Sequence, residues 1–280
     1  MSDFLAAVAN NQMPFLRYAL IAGILASITF GIVGTYVVVR RITYIAGAIA
    51  HCVLGGIGIA LYAQKVWHLA WLDPIYGALV AALLAALIIG LVSMYTKQRE
   101  DTVIGAIWAI GMAVGLLFIA KTPGYIDPMS YLFGNILLVS KNDLWLMILL
   151  DIVVAAAVWL LYHNFMAVCF DEEYARLRGL NTRFYYLVLL MMIALAVVLL
   201  VRVVGIVMVV ALLTLPAAIA GHFVNRLGRM MILASLLCMI FISGGLAWSY
   251  SLDLPSGPVI IVLAGGAYLI TLLVSRLRRR

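Results

Sequence analysis

The chain is 280 residues long, 67% hydrophobic and only 10% charged, with a mean hydropathy of +1.19. A water-soluble domain of that length needs far more charged surface, and apolar runs that are continuous rather than alternating exclude a β-barrel. The net charge of +7 reads as lysine and arginine gathered in cytoplasmic loops over anionic lipid, not as a nucleic-acid surface.

Apolar runs of about 20 residues recur from end to end, each long enough to cross roughly 30 Å of hydrocarbon as a helix. The expected fold is all-α and polytopic: one membrane domain over residues 1–280, with about nine spans, some broken or kinked. The first span is placed at Phe15 to Val39. Its apolar run is too long for the core of a cleavable signal, so the N-terminus is expected to be kept. Arg40 and Arg41 end it. The second span, Ile42 to Ala63, carries His51 near its middle, followed by Gly55, Gly56 and Gly58. An ionisable residue at membrane depth is expensive, and it points to function. Glycines after it let the helix loosen or let another helix come close.

The third and fourth spans are placed at Ile75 to Tyr95 and Thr102 to Ala120, separated by an aqueous Lys97–Asp101 loop. Lys121 to Lys141 mixes the turn signals Pro123-Gly124 and Asp127-Pro128 with a short apolar middle, which predicts a partly embedded or interfacial helix. The fifth span, Leu144 to Tyr162, holds Asp151 inside the membrane. The pattern is then expected to break from Phe165 to Arg183. Within that break, Asp171-Glu172-Glu173-Tyr174-Ala175-Arg176-Leu177-Arg178-Gly179-Leu180 reads as a short amphipathic helix. Acids lie first, bases later, and Gly179 suits the C-terminal cap. Such a segment is either a solvated connection or a docking element for a cytoplasmic partner.

The last four spans are placed at Phe184 to Val201, Gly205 to Phe223, Met230 to Tyr250 and Val259 to Ser275, with a tight turn expected at Arg202. Pro216 in the seventh span has no N–H, leaves the carbonyl of Leu212 unpaired, and marks a kink that can serve as a gating hinge. Thr214 or a neighbouring helix can satisfy that carbonyl. His222 ends the same span and reads as an interfacial side chain.

With the C-terminus inside, Arg40, Arg41, Lys97, Arg99, Arg176, Arg178, Arg183, Arg226, Arg229 and the RLRRR tail all fall on the cytoplasmic side. Only Arg17, Lys65, Lys121, Lys141 and Arg202 fall outside. The asymmetry sets the orientation, and an odd span count puts the N-terminus outside. Cys52, Cys169 and Cys238 form no C-x-x-C and read as free thiols.

Enzyme signatures are missing. No lysine follows a glycine, so there is no nucleotide-binding P-loop; there is also no H-E-x-x-H and no G-x-S-x-G. A proton-coupled secondary transporter of a cation or small solute is the rival reading. It needs intramembrane carboxylates, and Asp151 alone qualifies.

Five stretches in one order carry a resemblance: RRITYIAGAIAHCVLGG (Arg40 to Gly56), YLFGNILLVS (Tyr131 to Ser140), FDEEYARLRGL (Phe170 to Leu180), VGIVMVVALLTLPAAIA (Val204 to Ala220), and Pro255-Ser256-Gly257-Pro258. Together they resemble the permease subunit of ABC-type importers of zinc, manganese or iron, over nearly the whole chain. The resemblance implies a homodimeric permease in the bacterial inner membrane. A separate cytoplasmic ATPase pair would hydrolyse ATP and dock on the coupling helix Asp171 to Leu180. An extracytoplasmic binding protein would deliver the metal, zinc first, with manganese or iron next. No cofactor is expected to be bound stably. His51 matches the family's pathway histidine, and Gly55, Gly56 and Pro216 would serve gating. Family members often carry an aspartate four residues before that histidine and a proline after it; this chain has Gly47 and Gly55 there. Metal would then pass with fewer ligands, Cys52 or Asp151 would substitute, or the substrate would be a different one.

Overall fold

The computed structural model describes residues 14–69, 71–95, 100–124, 127–134 and 139–278. The expected outside N-terminus, the basic pair Lys97 and Arg99, the middle of the YLFGNILLVS stretch and the final two arginines lie outside the described residues.

Every regular element among the described residues is a helix. In chain order these are α1 (Pro14–Val39), α2 (Thr43–Val66), α3 (Pro74–Tyr95), α4 (Glu100–Lys121), α5 (Pro128–Phe133), α6 (Lys141–Phe170), α7 (Glu172–Leu177), α8 (Thr182–Val204), α9 (Ile206–Phe223), α10 (Leu227–Leu252) and α11 (Ser256–Arg278). Nine of them are long and apolar enough to cross a membrane, as the sequence predicts. Helices satisfy their own backbone groups, which is why a chain this apolar takes no other form.

Two boundaries differ from expectation. α6 does not break near Phe165; it runs 30 residues to Phe170, about 45 Å at 1.5 Å per residue. Its start is fixed by a capping box: Ser140 accepts from the Asp143 amide while Asp143 accepts from the Ser140 amide. Its polar last turns continue as helix because Asn164 Nδ2 donates to Tyr185 Oη on α8 at 2.9 Å. The reversal expected at Arg202 sits instead at Gly205, whose φ of +82° only glycine adopts cheaply. Among the described residues, the helix expected after Asp127 is α5, capped by the Asp127 carboxylate on the Met129 amide at 3.0 Å.

Burial is uneven. α2 is enclosed almost completely, between α3 and α4. α1 packs against α10, α6 and α9. α4, α6 and α11 are peripheral, and their outward faces carry exposed Ile110, Leu117, Trp159 and Leu273. In a bilayer such faces meet lipid or another apolar surface, where exposed hydrocarbon costs nothing.

Both ends of the bundle are tied. At the α7 end, Arg40 after α1 meets Glu172 on α7, and the Arg183 guanidinium lies 5.0 Å from the Tyr95 ring centroid at the end of α3. At the α5 end, Gly134 after α5 and Gly205 between α8 and α9 touch backbone to backbone, where a Cβ on either would overlap the other segment.

Candidate functional site

Glycines place α2 where it is. A Cβ on Gly55 would sit 2.8 Å from the Gly111 carbonyl oxygen, and one on Gly58 2.5 Å from that of Gly115, both on α4. One on Gly56 would overlap the Gly77 carbonyl of α3. Of the two uses expected for these glycines, close approach is the one the geometry displays. α2 is thereby clamped on two sides by backbone.

His51 lies in this clamped helix and is half-buried. Its ring stacks on the Trp108 indole of α4, with centroids 4.4 Å apart and planes 17° from parallel. Its Nδ1 is buried without a hydrogen-bond partner. One turn earlier, a Cβ on Gly47 would stand 3.2 Å from the same indole. Trp108 therefore covers both His51 and the position where a longer side chain at residue 47 would project. The sequence reading missed Trp108. Its signal was available, since tryptophan favours the two membrane interfaces and Trp108 lies well inside the fourth span.

Cys52 also faces α4, but its Sγ donates to the Ile107 carbonyl oxygen at 3.2 Å. Asp151 is engaged elsewhere. Thr29 Oγ1 of α1 donates to its Oδ1 at 2.5 Å, while its Oδ2 is buried without a partner. Among the described residues no three His, Cys, Asp or Glu side chains gather as a metal cage. His51 and Cys52 are thus neighbours on one helix, and Asp151 belongs to a different helix pair. An orphaned ring nitrogen beside an aromatic face can accept a cation transiently. It cannot enclose one.

Pro216 sits within a helix that continues to Phe223. Thr214 Oγ1 donates to the Val210 carbonyl oxygen at 2.9 Å and, more weakly, to that of Ala211 at 3.4 Å; neither is the Leu212 carbonyl that the proline frees. His222 is exposed at the end of α9, with Nδ1 2.9 Å from the Ala218 carbonyl oxygen.

The segment from Asp171 to Leu180 forms a capped helical turn. The Asp171 carboxylate accepts from the Tyr174 amide at 2.9 Å, in the N-cap position. At the other end Gly179 takes φ +78°, and the Leu180 amide donates to the Ala175 carbonyl oxygen at 3.1 Å. Ala175 is fully buried, whereas Tyr174 and Leu177 stand in the open, Leu177 at 87% exposure. Arg178 lies over the Tyr174 ring. Glu173 is exposed, as is Arg178. Glu172 points inward and accepts from Arg40 Nη2 at 2.6 Å and from Arg176 on its own helix. The short helix therefore has one anchored face and an outward tyrosine and leucine.

Residues 12–275 match the ABC 3 transport family. A protein of Chlamydia trachomatis described as a probable metal transport system membrane protein is 41% identical over 94% of this chain and 90% of its own length. The manganese transport system membrane protein MntC of Listeria monocytogenes is 33% identical over 90% of this chain and 88% of its own. Among solved structures, PsaBC from Streptococcus pneumoniae in complex with Fab superposes with a TM-score of 0.84 at 29% identity, covering 96% of this chain and 94% of that one. The chain belongs to the ABC 3 transport family: it is a multi-pass permease, the membrane-crossing rather than the ATP-hydrolysing part of an ATP-binding-cassette transporter.

Proposed function

We propose that this permease imports a divalent transition metal, manganese first, with zinc and iron as competitors. The observation that carries the reading is a full-length match to relatives named for metal or manganese transport, joined to a histidine with an unpaired buried nitrogen in the most enclosed span. The resemblance puts zinc first without relying on the Cys52 thiol, which lies about 100° around the helix from His51 and donates to the α4 backbone. Neutral imidazole serves manganese, iron and zinc alike, so the order proposed here follows the relatives named for manganese transport.

In this reading His51 is a transient contact along the path and Trp108 is its positioning residue. The indole holds the imidazole plane and fills the space over Gly47. Gly55 and Gly56 keep α2 against its neighbours, so a gating movement shifts α2, α3 and α4 together. Pro216 supplies a local weak point in α9. The C-terminus lies inside, and two copies form the permease. The cytoplasmic ATPase pair docks on the segment Asp171 to Leu180, and an extracytoplasmic binding protein supplies the metal. The proton-coupled alternative finds little support in the arrangement of carboxylates, because Asp151 bonds Thr29 and no three His, Cys, Asp or Glu side chains cluster among the described residues.

Uptake of radioactive manganese in a host lacking its own importer, with the partner ATPase and binding protein co-expressed, tests the reading. The wild-type chain should transport, zinc and iron should compete, and His51→Ala should reduce uptake by roughly tenfold or more, as removal of a ligand or its support does in metal sites. Trp108→Ala should lower uptake with assembly unchanged. Normal manganese uptake by His51→Ala would remove His51 from the path. Proton-gradient dependence in the absence of ATP hydrolysis would favour the rival class.

A further inference from the structure

Beside α7 lies a polar cavity of about 350 Å³ that the transport reading does not use. Its walls come from the α1–α2 turn, the end of α3, α7 and the start of α8. They include Arg40, Arg41, Arg176 and Arg183, with Glu172 as the one carboxylate, a net charge of +3. Arg40 and Arg176 are both engaged by Glu172. Arg41 and Arg183 have no carboxylate partner in the lining. Arg41 is held with φ +61° in the left-handed region, which aims a bulky cation where a turn would ordinarily carry glycine or asparagine. Thr182 also lines the wall, its hydroxyl held between Arg176 and Glu172.

The cavity lies at the ends of candidate spans, which puts it at the bilayer surface when those spans cross a membrane. Arg40 and Arg41 end one span, and Arg183 opens another. Exposed Tyr44, Tyr95 and Phe184 surround them, the aromatic arrangement of a membrane interface. A concave cluster of guanidinium groups between membrane helices, with an excess of positive charge and bidentate donors, matches a phosphate group. Basic pockets of this placement bind anionic lipid headgroups.

We propose that this cavity is a phosphate-binding site occupied by the headgroup of an anionic phospholipid from the cytoplasmic leaflet, which bridges the start of the His51 helix to α7. The assignment of the cavity to the cytoplasmic side rests on the orientation proposed above. Occupancy ties together the two segments joined directly by the Arg40–Glu172 pair, so the lipid stiffens the region on which a cytoplasmic partner would pull.

The test uses the permease purified together with its ATPase. Native mass spectrometry counts retained lipids after exposure to phosphatidylglycerol, to phosphatidylcholine, or to phosphatidylglycerol with inorganic phosphate in excess. The complex should retain phosphatidylglycerol and shed phosphatidylcholine. Arg41→Asn with Arg183→Gln should weaken retention by about fivefold per arginine and about 25-fold together. Asparagine suits the left-handed backbone at residue 41, so the turn survives. Arg183→Lys, which keeps the charge, should retain most of the binding. Arg226→Gln, at an exposed arginine outside the cavity, should change nothing. Displacement by inorganic phosphate would uphold the phosphate site and assign it to a soluble anion. Equal retention by wild type and the double variant would overturn the proposal, as would equal loss in Arg226→Gln. So would a wild-type complex that keeps no phosphatidylglycerol because the ATPase fills the cavity. Lipid retention is read without metal, so failure of the metal-import reading leaves this result standing.

Discussion

Glu172→Gln isolates the joint between the membrane helices and α7. In the wild-type chain the two carboxylate oxygens divide their work: Oε2 accepts from Arg40 at 2.6 Å, and Oε1 accepts from Arg176 one turn away. Thr182 Oγ1 stands 3.4 Å from Oε1. Glutamine keeps one acceptor but loses the charge, and it leaves two guanidinium groups facing an amide. The side chains of Arg40 and Glu172 are 23% and 33% exposed, so solvent screens much of their attraction. We assign about 1 kcal/mol to the Arg40 pair and about 0.4 kcal/mol to the pair within α7, the range for partly exposed and i,i+4 ion pairs. The sum, about 1.4 kcal/mol, raises the population with α7 detached and unwound about tenfold. Hydrogen exchange of the backbone amides from Tyr174 to Leu180 in the permease–ATPase complex should accelerate by that factor, and ATP hydrolysis should fall. High salt should shrink the difference between wild type and variant.

The same residue predicts a pH response. Burial pushes the Glu172 carboxyl up, but the hydrogen bonds and charges of Arg40 and Arg176 outweigh it and hold it below the usual carboxylate range. A carboxylate depressed in the folded state contributes stability that is fully present above its unfolded value, about 4.3, and lost as pH falls through the folded value. Protection of α7 should therefore be flat between pH 6 and 8 and decline only on strong acidification. Unchanged exchange in Glu172→Gln, or a wild-type transition near neutrality, would refute the reasoning.

Gly56→Ala places a methyl against the Gly77 carbonyl and within 2.7 Å of the Ala81 Cβ, where only a shift of α3 makes room. A loss of at least about 2 kcal/mol is expected, read as reduced thermal stability in detergent, whereas Gly105→Ala, which meets nothing within 4 Å, should be silent or slightly stabilising. Asp151→Asn keeps an acceptor for the Thr29 hydroxyl, and transport should stay within about twofold if the pair only joins α1 to α6. A tenfold loss of uptake with normal assembly would return Asp151 to the metal path.

Much of this fold was legible in the residues because a bilayer leaves so few alternatives. The span count and the capped turn at Asp171 and Gly179 follow from local composition, and both appear in the structure. Boundaries were less legible. α6 runs past Phe165 because Asn164 finds Tyr185 on another helix, a partner that sequence spacing does not reveal.

The sequence by itself determined that this chain is a helical membrane protein with a histidine in one span and glycines after it, because every backbone group in hydrocarbon must be satisfied within its own segment. Tertiary structure decided what those residues meet. It set Trp108 over His51 and Gly47 and turned the Cys52 thiol to a carbonyl. It also gave Asp151 to Thr29 and gathered four arginines around Glu172. Contacts between spans depend on how closely two helix surfaces approach and on which faces turn inward. Small residues on both partners set that approach jointly, and neither span specifies it alone.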